Sequence, residues 1–200
     1  VNENDPKDEI RTLLRAKRRA LGPAERDAQM GSLRGHLLPW LAGQAPRKTL
    51  TCFLSYGAEP PTGVLLDQLD AAGYTVYVPV CEPERRLSWV RWFPGVEMAR
   101  SAVAPIDEPV GPRFSADLMD QVDVVLVPAQ AVDERGDRLG QGGGYYDRFI
   151  ASMAGPGRVP KLLAMVFEHE FMAAGSFPVE PFDQRVDAVA TASGVRNLTV

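Results

Sequence analysis

The spacing of apolar residues changes once, near residue 49, and the change divides the chain into two parts. Before it, Ile10, Leu13, Leu14 and Leu21 recur at the intervals of one helix face. Asp5-Pro6 reads as an N-cap followed by proline at the first helical position. Gly22-Pro23 closes that helix and opens a second, with Met30, Leu33, Leu37, Leu38 and Leu41 on its apolar side. Pro39 is expected to kink or end it. From residue 49 onward, short apolar runs alternate with loops and helices. TLTCFLSY (49–56), YTVYVPV (74–80), VDVVLVPAQAV (122–132), KLLAMVF (161–167) and the weaker VDAVATAS (186–193) read as strands. LSWVRW (87–92) alternates like a half-exposed strand. VLLDQLDAAG (64–73) reads as a helix ending at Gly73, and YYDRFIASM (145–153) as another. Residues 94–117, rich in Pro and Gly, are expected to wander over the surface.

Strand, loop, helix, strand in repeated order implies a parallel sheet with helices on both faces. The expected fold is therefore α/β: a three-layer sandwich with a mostly parallel sheet flanked by helices, behind an N-terminal helical segment. A single domain over residues 1–200 is the expectation at this length. In such sheets ligands sit beyond the carboxyl ends of the strands, so the loops after Tyr56, Val132 and Phe167 should share one rim.

Composition narrows the classes. Net charge is −4, from 22 Lys+Arg against 26 Asp+Glu, so the field expected of a nucleic-acid binder is absent. No apolar run approaches the roughly 18 residues of a membrane span, and the polar start VNENDPKDEI is no signal peptide. Cys52 and Cys81 lie in apolar strand-like runs and read as buried, reduced thiols, which suits a cytoplasmic protein. Neither they nor His36 and His169 show zinc spacing or a nucleophile–base constellation. Nucleophilic catalysis by the protein is not expected.

The densest chemical signal is Arg138-Leu139-Gly140-Gln141-Gly142-Gly143-Gly144-Tyr145-Tyr146-Asp147-Arg148. It follows the most hydrophobic strand and opens a helix. Residues without Cβ let successive N–H groups point inward as an anion nest, and the helix start adds its positive end. There is no Gly-Lys-Ser/Thr, and Tyr145 stands where a dinucleotide fingerprint needs its third glycine. The glycines alone read equally as a phosphate cradle or as a tight loop before a helix. Asp147 tips the reading, because a carboxylate there would repel phosphate unless a cation lay between them, which suggests Mg²⁺. Lys7, Arg11, Arg15 and Arg18 or Arg19 form a cationic stripe, either a solvated helix face or a clamp for a polyphosphate. A nucleic-acid module built on that helix is a more distant alternative. Glu59, stiffened by Pro60 and Pro61, is either a surface acid or the partner of a polar heterocycle. Asp183 and Asp187 offer hard oxygen ligands. Tyr56, Trp89, Trp92 and Phe93 are core aromatics or the walls of a flat-ring site.

The segment from Pro128-Ala129-Gln130-Ala131-Val132-Asp133 through Gly136-Asp137 to Arg148 resembles the signature of the 5-formyltetrahydrofolate cyclo-ligase (methenyltetrahydrofolate synthetase) family. Lys7-x-x-Ile10-Arg11, Glu59-x-x-Thr62, Glu108-Pro109 and Asp183-x-x-x-Asp187 extend the resemblance through most of the chain. It implies ATP as co-substrate, Mg²⁺, and 5-formyltetrahydrofolate as substrate, with no nucleic-acid or membrane partner and a monomeric protein. It implies nucleotide contacts from Lys7, Arg11, Arg138, Gly140, Gln141, Gly142, Gly143, Gly144, Tyr145 and Tyr146. Asp147 and Asp183 would be the Mg²⁺ ligands. Leu54, Glu59, Tyr145 and Tyr146 would meet the folate, with Trp89 and Trp92 as further candidates for its pterin wall. Tyr145, Asp147 and Arg148 would stand at the reacting centre. Three positions depart from the pattern: Phe182 where the family often has His, Pro61 where a second acid is frequent, and no Gln near Glu168 or Glu170. These departures motivate one alternative, a non-catalytic folate or nucleotide sensor on the same scaffold.

Overall fold

The structure, a computed structural model, describes residues 6–153 and 159–198. Asp5, the expected cap, lies outside the described residues. Helix α1 (Pro6–Ala20) gives way at Gly22-Pro23 to α2 (Pro23–Gln44). Pro39 does not end α2, which runs a further turn to Gln44. Leu37 and Leu41, on either side of the proline, are both fully buried. Burying each yields about 1.5–3 kcal/mol, enough to offset the ~3 kcal/mol that an interior proline costs.

Next come β1 (Thr49–Thr51), α3 (Gly63–Ala71), β2 (Thr75–Glu82), β3 (Arg86–Trp92), β4 (Met98–Arg100), β5 (Asp107–Pro109), β6 (Arg113–Phe114) and β7 (Val124–Pro128). Then follow β8 (Ala131–Asp133), β9 (Arg138–Leu139), α4 (Tyr145–Ser152), β10 (Lys161–Met165), β11 (Phe171–Met172), β12 (Ala188–Thr191) and β13 (Gly194–Asn197). One sheet runs in the order β13-β12-β10-β7-β1-β2-β3-β6. Its inner strands from β12 to β2 are parallel, and antiparallel pairing is confined to the two edges.

The layers follow from the two-residue period of a strand. Val124 and Leu126 of β7 pack with Leu33 and Leu37 of α2 and Leu65 and Leu69 of α3. Val125 and Val127 pack on the opposite face with Phe149 and Ile150 of α4 and with the 3-10 turn Ala116–Gln121. Both faces of the central strand are covered, which is why its sequence is continuously apolar.

Four runs fold differently from their expectation. The 49–56 segment pairs as a strand only over Thr49–Thr51, and the rest leaves the sheet toward the rim. The 122–132 run splits at Pro128, which lacks an N–H for the ladder. β8 then joins a second, small sheet of order β11-β8-β9. β3 does not alternate, since Trp89 and Val90 are both buried. Trp89 meets Phe149 of α4, and Val90 is covered near Gly111. Within 94–117, β4 and β5 form a hairpin and β6 extends the sheet. Cys52 is buried and Cys81 half-buried, and both are free. No helix among the described residues is long and apolar enough to cross a membrane.

Candidate functional site

The buried face of α1 carries cations. Lys7, Arg11, Leu14 and Arg18 are its buried positions, whereas Leu13 is 56% exposed. Lys7, Arg11 and Arg18 therefore do not belong to a solvated face, whereas Arg15 is half-buried and Arg19 exposed. Leu14 anchors the helix among Ala131, Leu139 and Phe177. Lys7 Nζ donates to Asp183 Oδ2 at 2.5 Å and to Glu180 Oε2 at 2.7 Å. Burial pulls the Lys7 pKa down, but hydrogen bonds and charges from Asp183 and Glu180 outweigh it and hold it above the usual lysine value. Arg11 donates to the Gly140 carbonyl at 3.0 Å and to Asp8 at 2.7 Å. Arg18 pairs with Glu170 and donates to the Ala129 carbonyl, so it fastens α1 to the ends of β7 and β10 rather than to any ligand.

The glycine loop is open. Gln141, Gly142 and Gly143 are exposed. The amides of Gln141, Gly142, Gly143 and Gly144 donate to no protein acceptor among the described residues. Gly142 has φ +98 and Gly144, which caps α4, has φ +72, both in the left-handed region. A Cβ on Gly140 would come within 3.0 Å of Arg138 Nη1. That guanidinium is buried, with Nη2 on Asp147 Oδ1 at 2.5 Å and Nη1 on the Pro128 carbonyl at 3.2 Å. Its Nε is buried without a partner. The Gln184 amide also reaches Asp147 Oδ1, at 3.2 Å, which brings the residue after Asp183 to the first turn of α4.

The rim loops meet at Gln141. Its Nε2 donates to Glu59 Oε1 at 2.8 Å, and its Oε1 accepts from Gln130. Glu59 Oε2 accepts from the Tyr56 amide at 2.8 Å. Ser55 and Thr62 close the Glu59 loop reciprocally, each amide donating to the other's hydroxyl. Beside it lies a cleft of about 510 Å³ lined by Leu54, Tyr56, Leu66, Trp92, Phe93 and Arg100. Tyr146 packs against both core clusters, edge-to-face with Phe149, while its hydroxyl is buried and unpartnered. Burial first, then Cys52 and Glu59, push its pKa well up. The Tyr145 pKa is also raised by burial, with Cys81 and Glu108 adding to it.

Most of the expected residues thus converge: Lys7, Arg11, Glu59, Arg138, the 140–144 loop, Tyr146, Asp147 and Asp183. Leu54 and Trp92 line the adjoining cleft. Two do not join them. Trp89 is fully buried between β3 and α4 and cannot wall a ligand site. Arg148 is exposed and donates to the Glu84 carbonyl at 3.3 Å, pointing away from Asp147 into a groove with Glu82 and Ser88. Phe182, 63% exposed, lies against the Lys7 ammonium at 5.5 Å from the ring centre, so Lys7 keeps a partner at the position of the family's His. Glu180, Gln130 and Gln184 were not singled out by sequence. Gln130 follows the central strand, where the strand-end rule would have found it. Burial pushes both thiol pKa values up, that of Cys81 to about 12.

No three His, Cys, Asp or Glu side chains among the described residues form a metal cage. Asp147 and Asp183 are carboxylates of the kind that Mg²⁺ takes one or two of, beside phosphate oxygens and water. Both bonds to Asp147 fall on Oδ1.

The sequence matches the 5-formyltetrahydrofolate cyclo-ligase family over residues 3–192. It is 34% identical to the 5-formyltetrahydrofolate cyclo-ligase of Mycolicibacterium smegmatis, covering 92% of this chain and 93% of that one. It is 31% identical to the Escherichia coli K12 protein of the same name, covering 92% and 98%. The solved structure of Aquifex aeolicus 5,10-methenyltetrahydrofolate synthetase superposes with TM-score 0.76 at 25% identity, covering 98% of this chain and 94% of that one. The Mycoplasma pneumoniae 5,10-methenyltetrahydrofolate synthetase has the same fold, with TM-score 0.72 at 20% identity, covering 94% and 99%.

Proposed function

The chain belongs to the 5-formyltetrahydrofolate cyclo-ligase family, and from that premise we propose that it closes 5-formyltetrahydrofolate to 5,10-methenyltetrahydrofolate at the expense of ATP. The observation that carries the reading is the open run of unbonded amides at 141–144, flanked by Lys7, Arg11 and Arg138. Bare N–H groups, a helix start and three cations form a receptor for a triphosphate. Asp147 and Asp183 would hold Mg²⁺, which supplies charge neutralisation on the phosphate oxygens.

The N5-formyl group is amide-like, and its oxygen leaves poorly. That oxygen attacks the γ-phosphorus, and the bond to the β-phosphate oxygen breaks to release ADP. N10 then adds to the activated carbon, loses its proton, and expels phosphate as the methenyl bridge forms. The chain needs no nucleophile of its own. Its work is positioning and charge stabilisation, as in other phosphoryl transfers. Lys7 and Arg11 orient the phosphates from α1, and Arg138 fixes the Asp147 carboxylate. Glu59 accepts from the polar edge of the pterin, and the unpartnered Tyr146 hydroxyl offers a donor beside it. Leu54 and Trp92 wall the cleft in which the flat body of the folate lies.

Mixing the protein with 5-formyltetrahydrofolate, ATP and Mg²⁺ tests this, with the absorbance of the methenyl product as readout. Product formation that requires all three is expected. A folded sample that binds both substrates without yielding product would instead favour the sensor.

A further inference from the structure

A second concave surface adjoins the glycine loop. It is a cleft of about 480 Å³ between α1, the start of α2 and the Glu59 loop, lined by Arg15, Arg18, Arg19, Arg26, Tyr56 and Glu59. The charges on it are unequal. Arg18 is neutralised by Glu170, and Glu59 already accepts from Gln141 and from the Tyr56 amide. Arg15 makes one long bond, 3.3 Å, to the Gln141 carbonyl. Arg26 donates through Nη2 to the Arg18 carbonyl, while its Nε is buried without a partner. Arg19 makes no hydrogen bond or ion pair among the described residues. Three guanidinium groups therefore share a concave wall with Glu59 as its one acid.

Like charges gathered on one wall repel, and a buried donor left without a partner is costly. Both costs are relieved by an oxyanion, whose paired oxygens match the fork of a guanidinium. We propose that this cleft is an oxyanion-binding site, separate from the nucleotide loop, for a compact ligand carrying at least two negative charges on phosphate or carboxylate oxygens. The site borders the proposed active centre through Gln141, Tyr56 and Glu59, but its cations are other residues.

Calorimetric titration with inorganic phosphate and with citrate tests the proposal. Each is run on the wild-type protein with and without a saturating non-hydrolysable ATP analogue and Mg²⁺. The expected result is binding of at least one anion that survives the analogue. Arg19→Gln should weaken it by about tenfold, the loss of one charge-assisted contact. Arg26→Gln should weaken it as well, and turnover should stay unchanged in both variants. Binding of phosphate alone identifies a phosphate ligand, and of citrate alone a polycarboxylate. The proposal is overturned if neither anion binds, if the analogue displaces both, or if Arg19→Gln binds as the wild type does. Should the analogue itself not bind, the nucleotide reading fails. The titrations without it still read the cleft through Arg19→Gln, which is exposed and leaves the fold undisturbed.

Discussion

Arg138 and Asp147 meet at 2.5 Å across the base of the glycine loop, one at the start of β9 and the other in the first turn of α4. The guanidinium is 2% exposed and the carboxylate 21%, so the arginine is anchored and the aspartate faces outward. Arg138 thus fixes one carboxylate oxygen while the rest of Asp147 stays open to a ligand. Asp147→Asn keeps the shape and an oxygen for Arg138 but removes the charge. Turnover with ATP and Mg²⁺ is expected to fall by about a hundredfold or more, equivalent to at least ~2.7 kcal/mol, while folate affinity stays close to wild type. Steady-state rates and folate titration on one preparation check this. Equal losses in both would contradict the assigned role.

Arg18 and Glu170 form a buried pair that ties α1 to the sheet ends. Removing one partner leaves the other charge buried and uncompensated, at a cost of about 3–5 kcal/mol. Glu170→Gln is therefore expected to lower the denaturant midpoint sharply, and combining it with Arg18→Leu should recover most of the loss. A single variant within about 1 kcal/mol of wild type, as for a surface pair, would show that the pair is dispensable.

The two tryptophans of β3 should separate. Trp89→Ala empties a core position against Phe149 and is expected to cost about 3–5 kcal/mol of stability. Trp92→Ala, half-buried on the cleft, should raise the folate KM with a smaller stability loss. Thermal melts and folate KM on both variants make the comparison, and a folate effect confined to Trp89 would reverse the assignment.

Burial lowers the His169 pKa below its ordinary 6.5, outweighing the attraction of Glu170, with Lys17 and Arg18 adding to the lowering. The unfolded chain then binds the proton more tightly than the native one. Stability from this residue is complete above pH 6.5 and is lost as pH falls through the folded value. Melting temperatures taken between pH 7.5 and pH 5 should drop less in His169→Gln than in wild type. Identical slopes would remove His169 from the account.

Sequence patterning was most informative where one physical demand acted alone. The continuously apolar β7, the Gly22-Pro23 break and the glycine loop each followed from local chemistry. The second helix runs on past Pro39 because burial of Leu41 outweighs a local propensity. Trp89 was misplaced because nothing local reveals that α4 covers the face of β3 from which it projects. Spacing alone leaves the α1 stripe as either a solvated face or a polyphosphate clamp, because Leu13 and Ile10 suggest a different buried face. Only the tertiary partners Asp183, Glu180, Glu170 and the Gly140 carbonyl make a charged face the inner one.

The central claim is that the chain primes the substrate's own formyl oxygen with a phosphoryl group held at the 140–147 loop. Turnover of 5-formyltetrahydrofolate carrying heavy oxygen in the formyl group tests it most directly, with mass analysis of the phosphate released. The account predicts one heavy oxygen in each phosphate formed. Methenyl product accompanied by unlabelled phosphate, with the heavy oxygen recovered in water, would contradict it.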